Sequence, residues 1–390
     1  MLFRNGTTMR SCVLAAATFL TCSSMARAAI PFALGAFLTN PNGSDAGAEA
    51  VFESNYNSLK QALGNTPTMI DVYVDGTQSV ANWPGNASWQ AWSNAQSPVA
   101  RNMVPVLGLP MWSTAGGSPS SQQQLQDFAA GRNDAAVTGV VQSWVSHGFR
   151  TLIVRVGWEM NITGSSYAGD DAQSQANWVA AFKHIYTVLH EAAKAAGASM
   201  QVVWNPSATN YSNASATGSL YPGDAYVDIV GVDIYGGMFP FSDGSGVQYH
   251  DWVTGAEDYS FGDFVARSAN RRHYWSYPAA TRWSLDGSNG HSQSFLSLLA
   301  FAGAHHKPFA VPECGAGSTQ DGHDVNDEGA FPAWLGATLT TAQTKGTTVA
   351  FVNIWDTNDW GNYQFSNASN NKPYERAAWK RYIGAAAAQH

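Results

Sequence analysis

A single-domain α/β fold, a (β/α)8 TIM barrel, is predicted by three features of the sequence. Short apolar runs recur along the chain, helical patterns separate them, and no Pro/Ser-rich linker or tandem repeat divides them. Eight runs read as buried strands: residues 33–38, 69–75, 103–109, 152–158, 200–204, 227–235, 308–312 and 349–355. Several are near-continuous in Val, Ile, Leu and Phe, as strands covered on both faces must be. Strands alternating with helices imply a parallel sheet, and eight of them suggest closure into a barrel. No dinucleotide fingerprint or phosphate loop is present, which weakens the open-sheet alternative.

The helices follow from apolar spacing and their stop signals. Residues 46–63 are closed by Gly64, 134–147 by Gly148, and 173–196 by Gly197. Glycine just past a helix end is the expected C-terminal signal. Residues 292–306, 327–345 and 373–388 complete the set. A long excursion from 236 to 292 holds a predicted helix at 251–267 and the stretch Arg271-Arg272-His273-Tyr274-Trp275-Ser276-Tyr277. Long loops in compact domains are usually functional. In a barrel this one rises over the C-terminal face, where active sites sit.

The chain opens with export features. Arg4 and Arg10 precede an apolar stretch at 11–21, and Ala26-Arg27-Ala28 offers a small-x-small cleavage site. The stretch is too short to span a membrane. The expectation is a signal peptide at 1–28, a catalytic barrel at 29–390, and a secreted protein, periplasmic or extracellular. A lipid anchor through Cys22 is the alternative, and Phe19-Leu20-Thr21 makes a poor lipobox for it. Cys12 and Cys22 leave with the signal, so Cys314 stands alone and no intrachain disulfide is expected. A chain of this length can rely on its core instead.

Composition narrows the partners. The net charge is −8, and no basic block remains after cleavage. That argues against nucleic acid or an anionic membrane. Only 12% of residues are charged, whereas 15 are Trp, 15 Tyr and 18 Phe. Neutral polar groups with aromatics suit sugar rings, whose C–H faces stack on indoles. A Trp-rich core is the plainer explanation, and composition does not choose between them. A monomer that binds a polysaccharide and needs no cofactor is expected.

Two acids carry the chemistry. Arg155-Val156-Gly157-Trp158-Glu159-Met160-Asn161 ends the fourth strand and aims Glu159 into the barrel mouth. A carboxyl beside indoles is partly desolvated, which raises its pKa and suits a general acid. Pairing with Arg155 alone is the structural alternative. Pro308-Phe309-Ala310-Val311-Pro312-Glu313-Cys314-Gly315 ends the seventh strand, where Glu313 closes an apolar run. Two glutamates at the ends of strands four and seven face one another. That is the pairing that glycosidases need, one carboxyl as nucleophile and one as acid/base.

These segments resemble glycoside hydrolase family 26, the mannanase-containing family of the retaining (β/α)8 clan. Residues 155–161 look like its acid/base motif and 311–315 like its nucleophile strand. Residues 221–235 resemble its sixth-strand signature, which ends in Asp-x-Tyr, and Trp204-Asn205-Pro206 its fifth strand. The resemblance implies Glu159 as acid/base and Glu313 as nucleophile. It implies that Tyr235 donates a hydrogen bond to the nucleophile and that Trp355 forms a stacking floor for the sugar. Arg155 would hold the local charge balance. Trp158, Asn161 and Asn205 complete the candidate substrate contacts. Mannanases of the family usually carry His where Trp158 stands, so the substrate is less fixed than the reaction.

Other chemistries find little support. His305-His306, and His323 with Asp321, Asp324 and Asp327, match no zinc or EF-hand spacing. No metal is expected. Cys314 lacks an evident His partner for thiol catalysis. The expected function is retaining endo-hydrolysis of a β-linked polysaccharide, β-1,4-mannan first. β-1,3-xylan, mixed-linkage β-glucan or a bacterial exopolysaccharide are alternatives. A non-catalytic glycan-binding barrel and a polysaccharide lyase are the competing classes.

Overall fold

A computed structural model describes residues 32–38, 48–162, 171–208, 216–235, 295–316, 318–319, 329–358 and 361–387. The predicted signal segment, the helix at 251–267, the stretch at 271–277, and His323 with its neighbouring aspartates lie outside these residues.

Eight parallel strands form the barrel: β1 (Ala33–Phe37), β2 (Met69–Tyr73), β3 (Val104–Leu109), β4 (Thr151–Val156), β5 (Ser199–Trp204), β6 (Ile229–Gly231), β7 (Phe309–Gly315) and β8 (Val349–Trp355). Neighbours in sequence are neighbours in the sheet, and β8 pairs with both β7 and β1, which closes the ring. The predicted sixth strand is split. β6 stops at Gly231, and Ile234–Tyr235 resumes the pairing higher on β7, against Cys314 and Gly315. The break re-aims the chain, so Asp233 and Tyr235 both reach the barrel mouth.

The surrounding helices are α1 (Ala48–Leu63), α2 (Trp83–Gln96), α3 (Ser121–Ala129), α4 (Asp134–Ser146), α5 (Ala172–Ala195), α6 (Phe295–Ala304), α7 (Ala330–Thr344) and α8 (Pro373–Ala378). Asp171 caps α5 by accepting from the N–H groups of Gln173 and Ser174. Gly64, Gly148 and Gly197 have positive φ, as helix stops require. The C-terminal helix is shorter than predicted: after α8 the chain continues as a π-turn, Trp379–Ile383, and a 3₁₀ turn.

Helices α2 and α3 were not predicted. Their inward faces carry amides where an apolar pattern is sought. α2 buries Gln90 and Asn94 beside Trp83, Ala87 and Ala91. Gln90 donates to the Tyr73 carbonyl at 2.7 Å, and Asn94 to the Gln90 carbonyl at 2.9 Å. In α3, Gln124 accepts from the Ser113 N–H and donates to the carbonyls of Ser113 and Pro119. Each amide nitrogen donates inward and Gln124 also accepts, which offsets part of the burial cost, whereas the side-chain oxygens of Gln90 and Asn94 stay buried without a partner.

The core has two parts. A large cluster fills the space between sheet and helices. A small one inside the barrel holds Val106, Ile153, Val203, Ile229, Ala310 and Phe351. Polar side chains stack above that plug, toward the C-terminal ends of the strands. Gly108 on β3 makes room for them, since a Cβ there would lie 2.5 Å from the Tyr73 ring.

Candidate active site

Arg155 is the hub. Its position on β4 turns it into the barrel, where it is fully buried. All five guanidinium N–H groups are engaged. Nε donates to Asn205 Oδ1 at 2.6 Å. Nη1 donates to Asp71 Oδ2 at 3.1 Å and to the Tyr73 hydroxyl at 2.8 Å. Nη2 donates to Asp233 Oδ2 at 2.8 Å and to Glu313 Oε1 at 2.5 Å. Three carboxylates around one cation carry excess negative charge in a dry interior. Burial, reinforced by the Glu313 charge, pushes Asp71 up to about 7 against the pull of Arg155. Burial likewise raises Asp233 well above the carboxylate range, and Glu313 and Glu159 add to it.

Glu313 is treated differently by the same surroundings. Burial works to raise its pKa. The Arg155 charge and hydrogen bonds from Tyr73, Tyr235 and Arg155 outweigh that, so the carboxyl is held below its ordinary value. The Tyr73 hydroxyl lies 2.5 Å from Oε1, and the Tyr235 hydroxyl donates to Oε2 at 2.7 Å. Both phenols are pushed above their usual range, first by burial, and stay protonated as donors.

Glu159 lies beyond the end of β4, in a left-handed turn. Gly157 has φ 51° and Glu159 φ 56°. A Cβ on Gly157 would meet Met111 Sδ at 2.3 Å, so only glycine fits this turn. The Glu159 N–H donates to the Asn205 carbonyl at 2.7 Å and fixes the turn to the end of β5. Glu159 is half-buried and faces the cavity. Burial and the negative charge of Glu313 raise its pKa to about 8, although Arg155 and Ser207 oppose this.

Both glutamates open on one cavity of about 590 Å³. Its walls are Phe37, Tyr73, Trp158, Tyr235, Trp355 and Tyr363, with Val74, Asp75 and Gly76 at the lip. Phe37 and Trp355 are register neighbours on β1 and β8, and their rings stack at 4.1 Å. Trp158 packs edge-on to Tyr73 at 5.2 Å and lies 5.7 Å from the Arg155 guanidinium. Tyr363 packs against Tyr235 at 5.2 Å.

Of the residues singled out in the sequence, Glu159, Glu313, Trp158, Tyr235 and Trp355 line this cavity. Arg155, Asn161 and Asn205 do not. Each is fully buried behind the wall. Asn161 is clamped to Ser207, donating to its carbonyl and accepting from its N–H, both at 2.8 Å. That ties the loop after β4 to the loop after β5. Asn205 orients Arg155. These three hold the wall in place.

Sequence reasoning missed Phe37, Asp71, Tyr73, Asp233 and Tyr363. The first four had a usable signal: polar or aromatic residues at inward, alternate positions of otherwise apolar strands. Tyr363 sits in a loop without a periodic pattern. Cys314 is buried and donates to the Asn353 carbonyl at 3.2 Å; burial raises its thiol well above the usual value, away from a reactive thiolate. Among the described residues, no cluster of three His, Cys, Asp or Glu could hold a metal ion. His305 lies 2.7 Å from Asp224, at the end of α6.

A parallel eight-stranded barrel with two carboxyls on one cavity at the C-terminal ends of its strands is the arrangement with which glycoside hydrolases act on O-glycosyl bonds. The chain is similar to glycosyl hydrolase family 26, whose model matches residues 154–254. Among solved structures it is similar to the YdhT protein from Bacillus subtilis, at 16% identity and TM-score 0.51, covering 91% of this chain and 87% of that one. It is also similar to Bacillus subtilis mannanase man26, at 17% identity and TM-score 0.50, covering 91% and 86%. At such identities the two likenesses speak for the fold. A search of curated proteins finds no match.

Proposed function

We propose that the chain is a secreted, retaining endo-glycoside hydrolase, with Glu313 as nucleophile and Glu159 as acid/base. The observation that carries this is two carboxyls on one cavity in opposite surroundings: Glu313 receives Arg155, Tyr73 and Tyr235, which favour its ionised form, while burial beside Glu313 raises Glu159 to about 8. An ionised nucleophile and a protonated acid at neutral pH are what the first step needs. Glu313 attacks the anomeric carbon, the glycosidic C–O bond breaks, and the leaving oxygen takes the Glu159 proton. Glu159 then removes a proton from water. The water oxygen attacks the anomeric carbon and Glu313 departs as a carboxylate. Oε1 already receives Arg155 and Tyr73, so Oε2, held by Tyr235, is the freer oxygen for attack. Trp355, stacked on Phe37, offers a rigid floor for the sugar ring.

The leading substrate is β-1,4-mannan, following the family resemblance and the mannanase among the structural relatives. Trp158 in place of the expected His keeps β-1,3-xylan, mixed-linkage β-glucan and bacterial exopolysaccharide in view. The test is a polysaccharide panel with product mass analysis and anomeric NMR on wild type, Glu313→Ala and Glu159→Ala. Retained configuration in the products and loss of turnover in both variants are expected. Wild-type turnover in both variants sinks the mechanism. Unsaturated, ultraviolet-absorbing products identify a lyase, and binding without cleavage identifies a lectin-like barrel. Export predicts a mature N-terminus at Ala29, readable by N-terminal sequencing of the exported protein. Action as a monomer is checked by sedimentation.

A further inference from the structure

Helix α2 exposes two tryptophans while it buries two amides among Trp83, Ala87 and Ala91. It contains no charged residue. Its buried face uses Gln90 and Asn94, while Trp89 and Trp92 are 44% and 51% exposed. They are the only exposed tryptophans among the described residues. An amphipathic surface helix normally does the reverse. Three residues apart, they share one face, with Cβ atoms about 5–6 Å apart. Asn82, Gly85, Trp89, Trp92 and Gln96 form a continuous exposed stripe along that face.

The start of the stripe is tied to the lip of the active cavity. α2 follows β2, whose C-terminal end supplies Tyr73, Val74, Asp75 and Gly76 to the cavity. The helix therefore starts at the rim and runs back down the side of the barrel. Asn86 Oδ1 accepts from the Asp75 N–H at 3.1 Å and fixes the helix to the cavity lip. A depression of about 430 Å³, lined by Gln78, Ala81, Asn82, Gly85 and Asn86, lies at the helix start. Trp89 and Trp92 follow roughly 9 and 14 Å along the axis from that start.

We propose that this stripe is a second glycan-binding site that holds a neutral β-linked polysaccharide extending from the catalytic cavity. It rests on the glycoside hydrolase reading above. Two exposed indoles about one sugar apart offer stacking faces to consecutive pyranoses of an extended chain. The flanking groups are amides and a glycine, which suit hydroxyls, and no charge on α2 repels or selects against a neutral polymer. A protein partner normally covers aromatic anchors surrounded by further apolar contacts; here the surroundings are hydrophilic. Two free indoles are otherwise a solubility liability on a protein surface.

The test compares wild type with Trp89→Ala/Trp92→Ala and with Trp89→Phe/Trp92→Phe. Retention in native gels containing galactomannan, β-1,3-xylan or mixed-linkage β-glucan is measured beside hydrolysis of insoluble polymer and of short soluble oligosaccharides. The alanine pair is expected to weaken retention roughly tenfold, about 1.4 kcal/mol, and to slow insoluble-polymer hydrolysis. The kcat/KM on oligosaccharides should not change, and the phenylalanine pair should keep most of the retention. Circular dichroism checks folding, with Trp92→Gln as the milder variant. Unchanged retention of the alanine pair on every bound polysaccharide overturns the proposal. So does a wild-type dimer that the variant converts to monomer, which makes the patch a contact between copies. Loss of retention in a protein that hydrolyses nothing leaves the patch standing and removes the hydrolase reading instead.

Discussion

Asp71-Val72-Tyr73 on β2 and Asp233-Ile234-Tyr235 beyond β6 place the same two groups on opposite sides of the barrel. Each Asp binds Arg155 and each Tyr binds Glu313, one per carboxylate oxygen. The arrangement favours the charged form of Glu313, whereas Glu159 beside it is kept protonated. The kcat/KM profile should therefore be bell-shaped. It rises as Glu313 loses its proton, below the usual carboxylate range, and falls as Glu159 loses its proton near 8. Tyr73→Phe removes a donor to the charged nucleophile. Its acid limb should move to higher pH while the alkaline limb stays. Residual Glu159→Ala activity should lose the alkaline limb, and persistence of that limb assigns it to another group. Arg155→Met strips three buried carboxyls of their cation and should cost about 3–5 kcal/mol in urea unfolding. A cost near zero refutes the hub. At this scale Glu159 and Glu313 stood out in the sequence because each closes an apolar run, and the family resemblance pointed to Tyr235 and Trp355. Asp71 and Tyr73 were equally visible inside an apolar run, and their alternation was the neglected signal.

The strands were legible because both faces are covered, so apolar runs mark them with little ambiguity. Amide-faced helices were not, since the buried amides of α2 and α3 bond to the end of β2, to α2 itself and to the loop before α3, which sequence periodicity cannot see. The split of the sixth strand was hidden for a related reason: residues 227–235 are uniformly strand-like, and only the demand of Arg155 for Asp233 shows where the chain must turn. The loop after β8 illustrates how buried charge holds an element. Asp356 accepts from the Phe365 and Ser366 N–H groups and from the Ser366 hydroxyl. Lys372 pairs with Glu375 at 3.0 Å, both fully buried, and donates to the Asn362 carbonyl. Between these anchors the loop presents Tyr363 to the cavity. Lys372→Met leaves Glu375 buried without its cation and should destabilise by about 3–5 kcal/mol. Adding Glu375→Leu should recover part of that loss. A fully additive pair of losses in denaturant unfolding contradicts the coupling. The Lys372→Met protein should also lose kcat/KM through Tyr363.

Across the whole molecule, charge favours a neutral polymer as substrate for the proposed reaction. The chain carries −8 overall, and the cavity shows the charged Glu313 and Asp75 while Arg155 is sealed behind the wall. A uronate or sulfated glycan approaching this mouth meets like charge at both long and short range, whereas a neutral glycan meets aromatic faces and hydroxyl partners. Long-range steering of a charged substrate depends on ionic strength, because the screening length falls from about 30 Å at 0.01 M salt to about 8 Å at 0.15 M. Hydrolysis of a neutral β-glycan should therefore keep the same kcat/KM from 10 mM to 500 mM sodium chloride. Any residual activity on alginate or polygalacturonate should be weak at low salt and rise as salt screens the repulsion. The opposite slope, with an acidic polymer preferred at low salt and lost at high salt, points to a cationic surface over the mouth. Arg271→Gln/Arg272→Gln, measured in the same salt series, tests whether these two arginines of the sequence carry the preference. If that variant loses the preference for the acidic polymer and leaves neutral-glycan hydrolysis intact, the neutral assignment is wrong and the long excursion selects the substrate.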